Sequence, residues 1–432
     1  MISKAKTTVS FYNGLTTIGG PMIEVAYGKS HVLFDLGEVY LPELKLPDEH
    51  YATLIKHQLI GDVPNFFDPA LTGKPIDTQR WEHAAAYMSH LHLDHSKAMN
   101  FLAPEIPLYA GPITASLLPT LNEQGDFLLP AANHAQNYTR PIIAAKYCEP
   151  IEVGDIRLEI WPSDHDAYGA TGLIIETPDK CVAYTGDVRL HGYHPDWVKT
   201  YLDRAHGADL LIIEGTGVSF PEEDQEQKGQ EFHGPKSEIA LTAEMVALIK
   251  ANPNRQITFN TYPTNVERLL QLMAHSPREV VLHAPRAHLL KAGLGKDCYY
   301  YQLPGEAPYA DLKPELAVDY QALRADKQQY LWQVDGHYED LQVGGLYLHS
   351  NAQPLGDFDP AYRPFIQALT DKQIDFKAIR CSGHADEAEL KEIIARVQPV
   401  ILCPVHTLHP ELEVNPFGTR ILPKRGETIT FS

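Results

Sequence analysis

Residues 90–95 read His-Leu-His-Leu-Asp-His, and this stretch decides the interpretation of the fold. It follows the run AAAYMS, whose small and aromatic residues predict a strand that ends at the first histidine. Alternate side chains of an extended segment point to the same side, so His90 and His92 can bind one ion. Asp94 and His95 lie at the start of the predicted helix DHSKAMNFLA and can face a second ion. Imidazole and carboxylate are ligands that suit Zn²⁺ or a similar divalent metal, so the stretch predicts a metal site.

Residues 90–95 resemble the HxHxDH motif of the metallo-β-lactamase superfamily, and this resemblance implies three more ligands, each after an apolar, strand-like run. They are His165 in WPSDHDAYGATGLII, Asp187 in AYTGD and His406 in VILCPVH. A single histidine of this kind is more often an ordinary polar residue than a ligand. Because all three follow residues 90–95 in the order of that signature, and each lies at the end of an apolar run, the resemblance makes them candidates for the same centre.

The composition restricts the class of protein and its surroundings. The chain has 432 residues, 36 Lys plus Arg, 56 Asp plus Glu, a net charge of −20 and 21 His. Its length predicts two domains, and its acidity argues against non-specific polyanion binding over the whole surface, which depends on Lys and Arg. No apolar run is long enough to span a membrane, and five scattered Cys with no apolar N-terminal stretch favour a reducing cytoplasm.

Two different patterns of predicted secondary structure follow each other along the chain. The runs TVSFYNGL, PMIEVAYG and HVLFDLG predict consecutive antiparallel strands. After a polar segment at 219–238, the runs IALTAEMVALIKAN, QITFNTY, TNVERLLQLMAHS and EVVLHAP predict helices alternating with strands of a parallel sheet. Residues 217–375 are therefore expected to form a second, α/β domain between two parts of the first, 1–216 and 376–432. The final run RILPKRGETITF predicts a strand pair around Gly426.

The candidate ligands resemble the signature of the metallo-β-lactamase superfamily, HxHxDH followed by a lone His, a lone Asp and a last His. The resemblance implies an αββα sandwich and a dinuclear hydrolase with two Zn²⁺ per chain, Mn²⁺ being possible. It assigns His90, His92 and His165 to one metal, Asp94, His95 and His406 to the other, and Asp187 to both. A hydroxide shared by the two metals would be the nucleophile. Asp35 in VLFDLG matches an early structural aspartate that helps to hold the metal loop.

Asp187 and His406 are 219 positions apart, which implies an inserted domain. This arrangement resembles the β-CASP branch of the superfamily, nucleases of RNA and DNA that include the RNase J type. The fold class implied is α/β, an αββα sandwich interrupted by an α/β β-CASP domain. Glu214 in LLIIEGT and His384 in CSGHA match two further motifs of that branch.

The β-CASP resemblance implies a role for each of these residues. His384 would be the general acid that protonates the leaving oxygen, and Glu214 would orient it. Asp94 is counted with them as catalytic. Ser382, Gly383, Thr264, Asn265 and Arg268 are candidate substrate contacts, although an amphipathic helix with Arg268 facing solvent explains that helix equally well. The implied partner is single-stranded RNA or another phosphodiester, with a homo-oligomer as a possible assembly.

Two other functions remain open at this point. The same metal pair could hydrolyse a thioester, a lactone or a small phosphodiester, with the inserted domain as a lid. A non-catalytic nucleic-acid or scaffold module is the third hypothesis, and the complete set of seven ligands weighs against it.

Overall fold

The computed structural model describes residues 5–41, 43–63, 65–79, 81–220, 236–356 and 359–431. Most of the polar segment predicted at 219–238 therefore lies outside the described residues. The chain divides into two compact units. Unit 1 comprises the described residues of Met1–Leu190, His194–Glu231 and Gly383–Ser432, and unit 2 those of His191–Tyr193 and Phe232–Ser382.

The strands and helices of the two units are defined as follows. The strands of unit 1 are β1 Thr7–Asn13, β2 Met22–Tyr27, β3 Ser30–Phe34, β4 His83–Met88, β5 Leu108–Ala110, β6 Ile143–Ala144, β7 Pro150–Val153, β8 Ile156–Pro162, β9 Thr171–Glu176, β10 Cys181–Tyr184, β11 Leu210–Glu214, β18 Ile401–Val405, β19 Thr419–Arg420 and β20 Glu427–Thr430. Its helices are α1 Tyr51–Lys56, α2 Pro69–Thr72, α3 Leu93–Ser96, α4 Pro112–Leu121, α5 Pro195–Arg204 and α11 Glu387–Val397. The strands of unit 2 are β12 Ile257–Thr261, β13 Glu279–His283, β14 Tyr299–Tyr301, β15 Tyr330–Gln333, β16 Leu346–Ser350 and β17 Asp375–Ala378. Its helices are α6 Glu238–Ala251, α7 Val266–His275, α8 Ala284–Leu294, α9 Tyr320–Ala325 and α10 Tyr362–Asp371.

Unit 1 is built on two seven-stranded sheets, in the orders β20-β1-β2-β3-β4-β5-β6 and β19-β18-β11-β10-β9-β8-β7. Apolar side chains from both sheets, such as Phe34, Ile160 and Tyr184, form one buried core, so the sheets pack face to face. Helices α5 and α11 cover the outer face of the second sheet through a separate apolar cluster. The predicted αββα sandwich is confirmed, as are the antiparallel strands β1, β2 and β3.

Unit 2 contains one six-stranded sheet in the order β14-β13-β15-β12-β16-β17. All of its strand pairs are parallel, as expected where strands alternate with helices. The predicted α/β character of the inserted segment is therefore confirmed. The exact domain boundaries stay a prediction.

The prediction that the two strands around Gly426 pair with each other is wrong. β19 runs parallel to β18 in one sheet, whereas β20 runs antiparallel to β1 in the other. The amide of Gly426 donates to the carbonyl oxygen of Phe11, so the turn carries the chain from one sheet to the other.

No helix among the described residues combines the length and apolar character that crossing a membrane requires.

Candidate metal centre

All seven predicted metal ligands lie in unit 1, in the segments that follow strand ends. His90, His92, Asp94 and His95 follow β4, His165 follows β8, Asp187 follows β10, and His406 follows β18. Parallel pairing of β10 with β11 and of β11 with β18 brings their carboxyl ends to one edge of the sheet. The backbone of His406 is left-handed, with a φ of 52°, immediately after β18 ends. Such a conformation in a non-glycine residue is typical of functional sites.

The ligands form two sets that share Asp187. In each set, the ligand atoms all lie within 4.8 Å of one another. The first set is His90, His92, His165 and Asp187, and the second is Asp94, His95, His406 and Asp187. The Oδ2 atom of Asp187 is 3.6 Å from Nε2 of both His90 and His165, and 3.2 Å from Nε2 of His95. In the second set, Nε2 of His406 is 3.1 Å from Oδ2 of Asp94. This division is the one that the family resemblance implies.

The buried polar atoms of these sets fit a pair of divalent cations. Nε2 of His90, Nε2 of His95 and Oδ1 of Asp187 are buried and have no hydrogen-bond partner among the described residues. Burying an unpaired polar group is costly, so these atoms of the two sets call for a compensating ligand. Imidazole and carboxylate donors are those that Zn²⁺ and Mn²⁺ accept. The residues present therefore fit the metals that the fold implies.

Burial favours the neutral imidazole at two ligands of the first set, His90 and His165. Burial lowers the pKa of His90 well below its usual value and that of His165 to about 3. Both rings therefore offer a lone pair at neutral pH without losing a proton. For Asp187, burial alone would raise the pKa, but the surrounding histidines outweigh it and hold the pKa well below its usual range. A permanently ionised carboxylate thus stands between the two sets.

Four of the ligand histidines have an oxygen partner for the ring nitrogen that points away from the centre. The Nδ1 partners are Ser89 Oγ for His90 at 2.9 Å, Asp35 Oδ2 for His95 at 2.8 Å, the Gly383 carbonyl for His165 at 2.5 Å and Thr216 Oγ1 for His406 at 2.9 Å. Such outer partners fix the tautomer and the ring orientation of a metal ligand. Ser89 and Thr216 were not predicted from the sequence. Their positions next to His90 and just after Glu214, both at strand ends, are the signal that could have found them.

Asp35 lies fully buried at the end of β3 and connects three elements. Its carboxylate accepts hydrogen bonds from the Ser89 amide at 2.7 Å and from the Tyr184 hydroxyl at 2.6 Å, besides contacting His95. Like His406, it has a left-handed backbone, with a φ of 58°. This position matches the structural role that the resemblance implies, which is to hold the loop that carries the first ligands.

Glu214, which is buried, and His384, whose side chain is 23% exposed, form a pair beside the ligand sets. Nδ1 of His384 is 3.1 Å from Oε1 of Glu214 and 3.8 Å from Oδ2 of Asp187. The other oxygen of Glu214 accepts from the Thr216 amide at 2.8 Å, which fixes the carboxylate at the end of β11. A histidine held in this way by a carboxylate is positioned for proton transfer.

The charge of this pair is set by its neighbours. Burial disfavours a charged His384 ring, but Glu214 and Asp187 outweigh it and raise its pKa to about 10. For Glu214, burial alone would raise the pKa, but His384 outweighs that effect and lowers it. The pair is therefore an imidazolium next to a carboxylate. Cations in the neighbouring positions would lower the pKa of His384 again, because like charges repel.

An ion pair behind His165 was also missed from the sequence. Arg189 is 1% exposed, and its Nε donates to Oδ1 of Asp164 at 2.7 Å. Its Nη2 donates to the carbonyl of His165 at 3.3 Å. Arg189 follows Asp187 by two positions, and Asp164 precedes His165, so this pair ties the two ligand segments together.

The predicted substrate contacts do not form one cluster. The carbonyl oxygen of Gly383 is hydrogen-bonded to Nδ1 of the candidate ligand His165, in unit 1. The carbonyl oxygen of Ser382 instead accepts from Nε2 of His191 within unit 2, at 3.0 Å. Thr264 and Asn265 in unit 2 are 0% and 1% exposed, and Thr264 Oγ1 and Asn265 Nδ2 have no partner among the described residues. Their role in substrate binding stays a prediction.

The predicted phosphate contact of Arg268 needs correction. Its side chain is fully buried, and its Nε donates to Oε2 of Glu238 at 2.9 Å. A further hydrogen bond of 2.9 Å joins its Nη1 to Oδ1 of Asn351. The guanidinium thus links α6, α7 and the end of β16 inside unit 2, and it does not face solvent.

Glu413 is a buried acid close to the Glu214 loop. It is 3% exposed, and both carboxylate oxygens lack a partner among the described residues. One of them packs so tightly against Gly215 that a β-carbon there would overlap it. Burial, followed by repulsion from Glu214, raises the pKa of Glu413 well above its usual value. The folded protein therefore keeps a proton on Glu413 that the unfolded chain loses near pH 4.3.

We expect Glu413→Gln to change the pH dependence of stability. Above the unfolded pKa the native state binds one proton more, so the free energy of unfolding of the wild type falls as pH rises towards the folded pKa. Glutamine cannot ionise, so this decline should be smaller in the variant, and the difference should favour the variant increasingly from pH 4 to pH 8. Denaturant unfolding at pH 4, 6 and 8 measures it. Glu411→Gln, at an exposed neighbour, is the matched control, and parallel pH profiles for wild type and Glu413→Gln would contradict the prediction.

Comparisons with known proteins bear on the whole arrangement. Residues 60–256 match the model of the "Beta-lactamase superfamily domain". Ribonuclease J of Helicobacter pylori strain B128 is 23% identical over 94% of the chain and 56% of its own length. Ribonuclease J of Pyrococcus abyssi is 21% identical over 91% of the chain and 88% of its own length. A crystal structure of a protein of unknown function from Enterococcus faecalis V583 is 45% identical, covers 99% of this chain and 100% of that one, and superposes with a TM-score of 0.93.

The sandwich of two sheets and the two ligand sets have the pattern of the metallo-β-lactamase superfamily, whose domain model matches residues 60–256. The similarity to Ribonuclease J along most of the chain supports the β-CASP, RNase J-like branch of that superfamily. The chain spans little more than half the length of the Helicobacter relatives that it matches, 56%.

Proposed function

We propose that this protein is a metal-dependent phosphodiesterase that cleaves single-stranded RNA in the cytoplasm. The observation that carries the proposal is the His384–Glu214 pair, which lies beside the two ligand sets and shares Asp187 with them. A site that hydrolysed only esters with good leaving groups would need the metals but not a histidine held as an acid by a carboxylate. The similarity to proteins named Ribonuclease J supports RNA as the substrate.

Two divalent cations, Zn²⁺ or Mn²⁺, would be held by the two ligand sets. When bound, they would lower the pKa of a water molecule and offset negative charge on the reacting phosphate. The contribution of the protein itself is to orient the imidazole rings that would bind the cations. The outer partners Ser89, Asp35, Gly383 and Thr216 hold the ligand rings so that Nε2 faces the centre for His90, His95, His165 and His406.

His384 supplies a proton to the oxygen that leaves when the phosphodiester breaks. Glu214 contacts Nδ1 of the ring, which assigns the donated proton to Nε2. The Glu214 carboxylate keeps the ring protonated before the reaction and fixes its direction. Because an alkoxide is a poor leaving group, protonation at this atom lowers the barrier for cleavage.

Incubation of purified protein with labelled single-stranded RNA and Mn²⁺ or Zn²⁺ tests the proposal. We expect metal-dependent cleavage of RNA, no cleavage after treatment with a chelator, and little turnover of thioesters, lactones or small phosphodiesters. Turnover of one of these small substrates without RNA cleavage would replace the proposal with a hydrolase of another bond. Binding of RNA without turnover of any substrate would favour the non-catalytic module.

A further inference from the structure

Glu214 and His384 belong to a third group of possible metal ligands, which overlaps the second set. Its members are Asp187, Glu214, His384 and His406, and their ligand atoms also lie within 4.8 Å of one another. Nδ1 of His384 is 3.1 Å from Oε1 of Glu214 and 3.8 Å from Oδ2 of Asp187. Adjacent ligands of one tetrahedral cation are roughly 3.4 Å apart when the bonds are about 2.1 Å long. One nitrogen of His384 thus faces two carboxylates at separations that suit a shared cation.

The third group has the same donor chemistry as the second set. Each consists of two carboxylates and two imidazoles, of which Asp187 and His406 are common to both. The second set adds one carboxylate and one imidazole from residues 90–95, and the third group adds Glu214 and His384. Charge and donor type therefore favour neither group over the other as a site for a divalent cation.

The shared ligand His406 allows only one of these two positions to be filled at a time. Its Nδ1 is 2.9 Å from Oγ1 of Thr216, so Nε2 is the nitrogen left for a cation. Nε2 is 3.1 Å from Oδ2 of Asp94 and 3.7 Å from Oδ2 of Asp187. A ring nitrogen has one lone pair and binds one cation. The second set and the third group are therefore alternative positions for the same cation.

We propose that the cation of the second set has an alternative position formed by Asp187, Glu214, His384 and His406. This inference rests on the proposed two-metal function and adds an inactive state to it. In the alternative position, Nδ1 of His384 binds the cation in place of its contact with Glu214. The ring then loses the carboxylate partner that keeps it protonated as an acid. Cleavage requires the cation to return to the second set.

A double-mutant cycle tests the proposal, with Mn²⁺ titrated against a fluorescent chelator in the absence of RNA. Asp94→Asn weakens the second set and leaves the third group intact, so the second Mn²⁺ should move to the alternative position. Adding His384→Ala should then lower the affinity for the second Mn²⁺ by a factor at least about fivefold larger than it does in the wild-type background. His206→Ala, at an exposed histidine of the same unit, is the matched control and should leave the affinity unchanged in both backgrounds.

A second variant and a second measurement support the cycle. Circular dichroism checks folding, and His95→Gln gives the same test if Asp94→Asn does not fold, because His95 also belongs to the second set and not to the third group. Anomalous diffraction from manganese in crystals of the Asp94→Asn protein should place the second ion beside Glu214 and His384.

The other outcomes overturn the proposal. They are a smaller difference between the two backgrounds, a second ion that stays at the second set in the crystals, or fewer than two Mn²⁺ bound by the wild type or by Asp94→Asn. Metal binding is read without substrate. A protein that shows the expected coupling but leaves RNA intact would reject the proposed function alone, and one that cleaves RNA without the coupling would reject the alternative position alone.

Discussion

Replacing His384 with alanine is expected to slow RNA cleavage by about two to four orders of magnitude, the usual contribution of a positioned general acid. The ring contacts Glu214 and Asp187 and lies outside the two four-residue ligand sets that the resemblance defines. The variant should therefore keep two metal ions per chain. Single-turnover cleavage of labelled RNA, measured beside elemental analysis, separates loss of the acid from loss of metal.

The pH profile adds a signature that a merely structural role would not produce. An acid must be protonated to act, so wild-type activity should fall as pH rises through the pKa of His384 in the metal-loaded protein. That alkaline limb should be absent from the residual activity of His384→Ala. His206→Ala, at an exposed histidine of the same unit, should cleave at the wild-type rate. Wild-type rates in His384→Ala would remove the general-acid assignment.

Replacing Asp187 with asparagine is expected to abolish activity by releasing both metals. Its Oδ2 atom lies 3.2–3.7 Å from Nε2 of four ligand histidines, His90, His95, His165 and His406. No other ligand belongs to both sets, so a neutral side chain here weakens both positions together. We expect fewer than one ion per chain after dialysis, and no cleavage of RNA above background.

Thermal unfolding gives an independent measure of the same loss. A ligand that binds only the native state raises the melting temperature, so Mn²⁺ or Zn²⁺ should stabilise the wild type and leave Asp187→Asn nearly unchanged. Asp196→Asn, which keeps both ligand sets, should be stabilised like the wild type. Retention of two ions in Asp187→Asn would contradict the shared role of this carboxylate.

Periodicity and position at strand ends predicted much of the centre. Alternation along the extended segment placed His90 and His92 side by side, and the strands before His165, Asp187 and His406 end where predicted. Ser89 and Thr216, which contact the ligand rings, were not predicted because these contacts depend on the tertiary structure. Nothing near Thr216 in the chain reveals that its hydroxyl meets the ring of His406, 190 positions away.

Two errors have the same origin. The family resemblance made Arg268 a candidate phosphate contact, and the amphipathic helix pattern placed it in solvent. Neither reveals Glu238, 30 positions earlier, which pairs with the buried guanidinium. The turn at Gly426 predicted a local pair of strands, but the flanking strands β19 and β20 pair with β18 and β1 instead. Local patterns predicted the elements, and non-local pairing decided which sheet each one joined.

The pairing of β11 with β18 also sets the order in which the centre can be completed during synthesis. Glu214 pairs with Val405, and all of unit 2 except His191–Tyr193 is encoded between these two neighbours in the sheet. A chain still emerging from the ribosome has His90, His92, His165 and Asp187 long before His384 and His406 exist. The first ligand set is therefore synthesised before both the acid and the complete second set. An unfinished chain cannot assemble the centre proposed to cleave RNA, and so it cannot cleave the mRNA from which it is being translated.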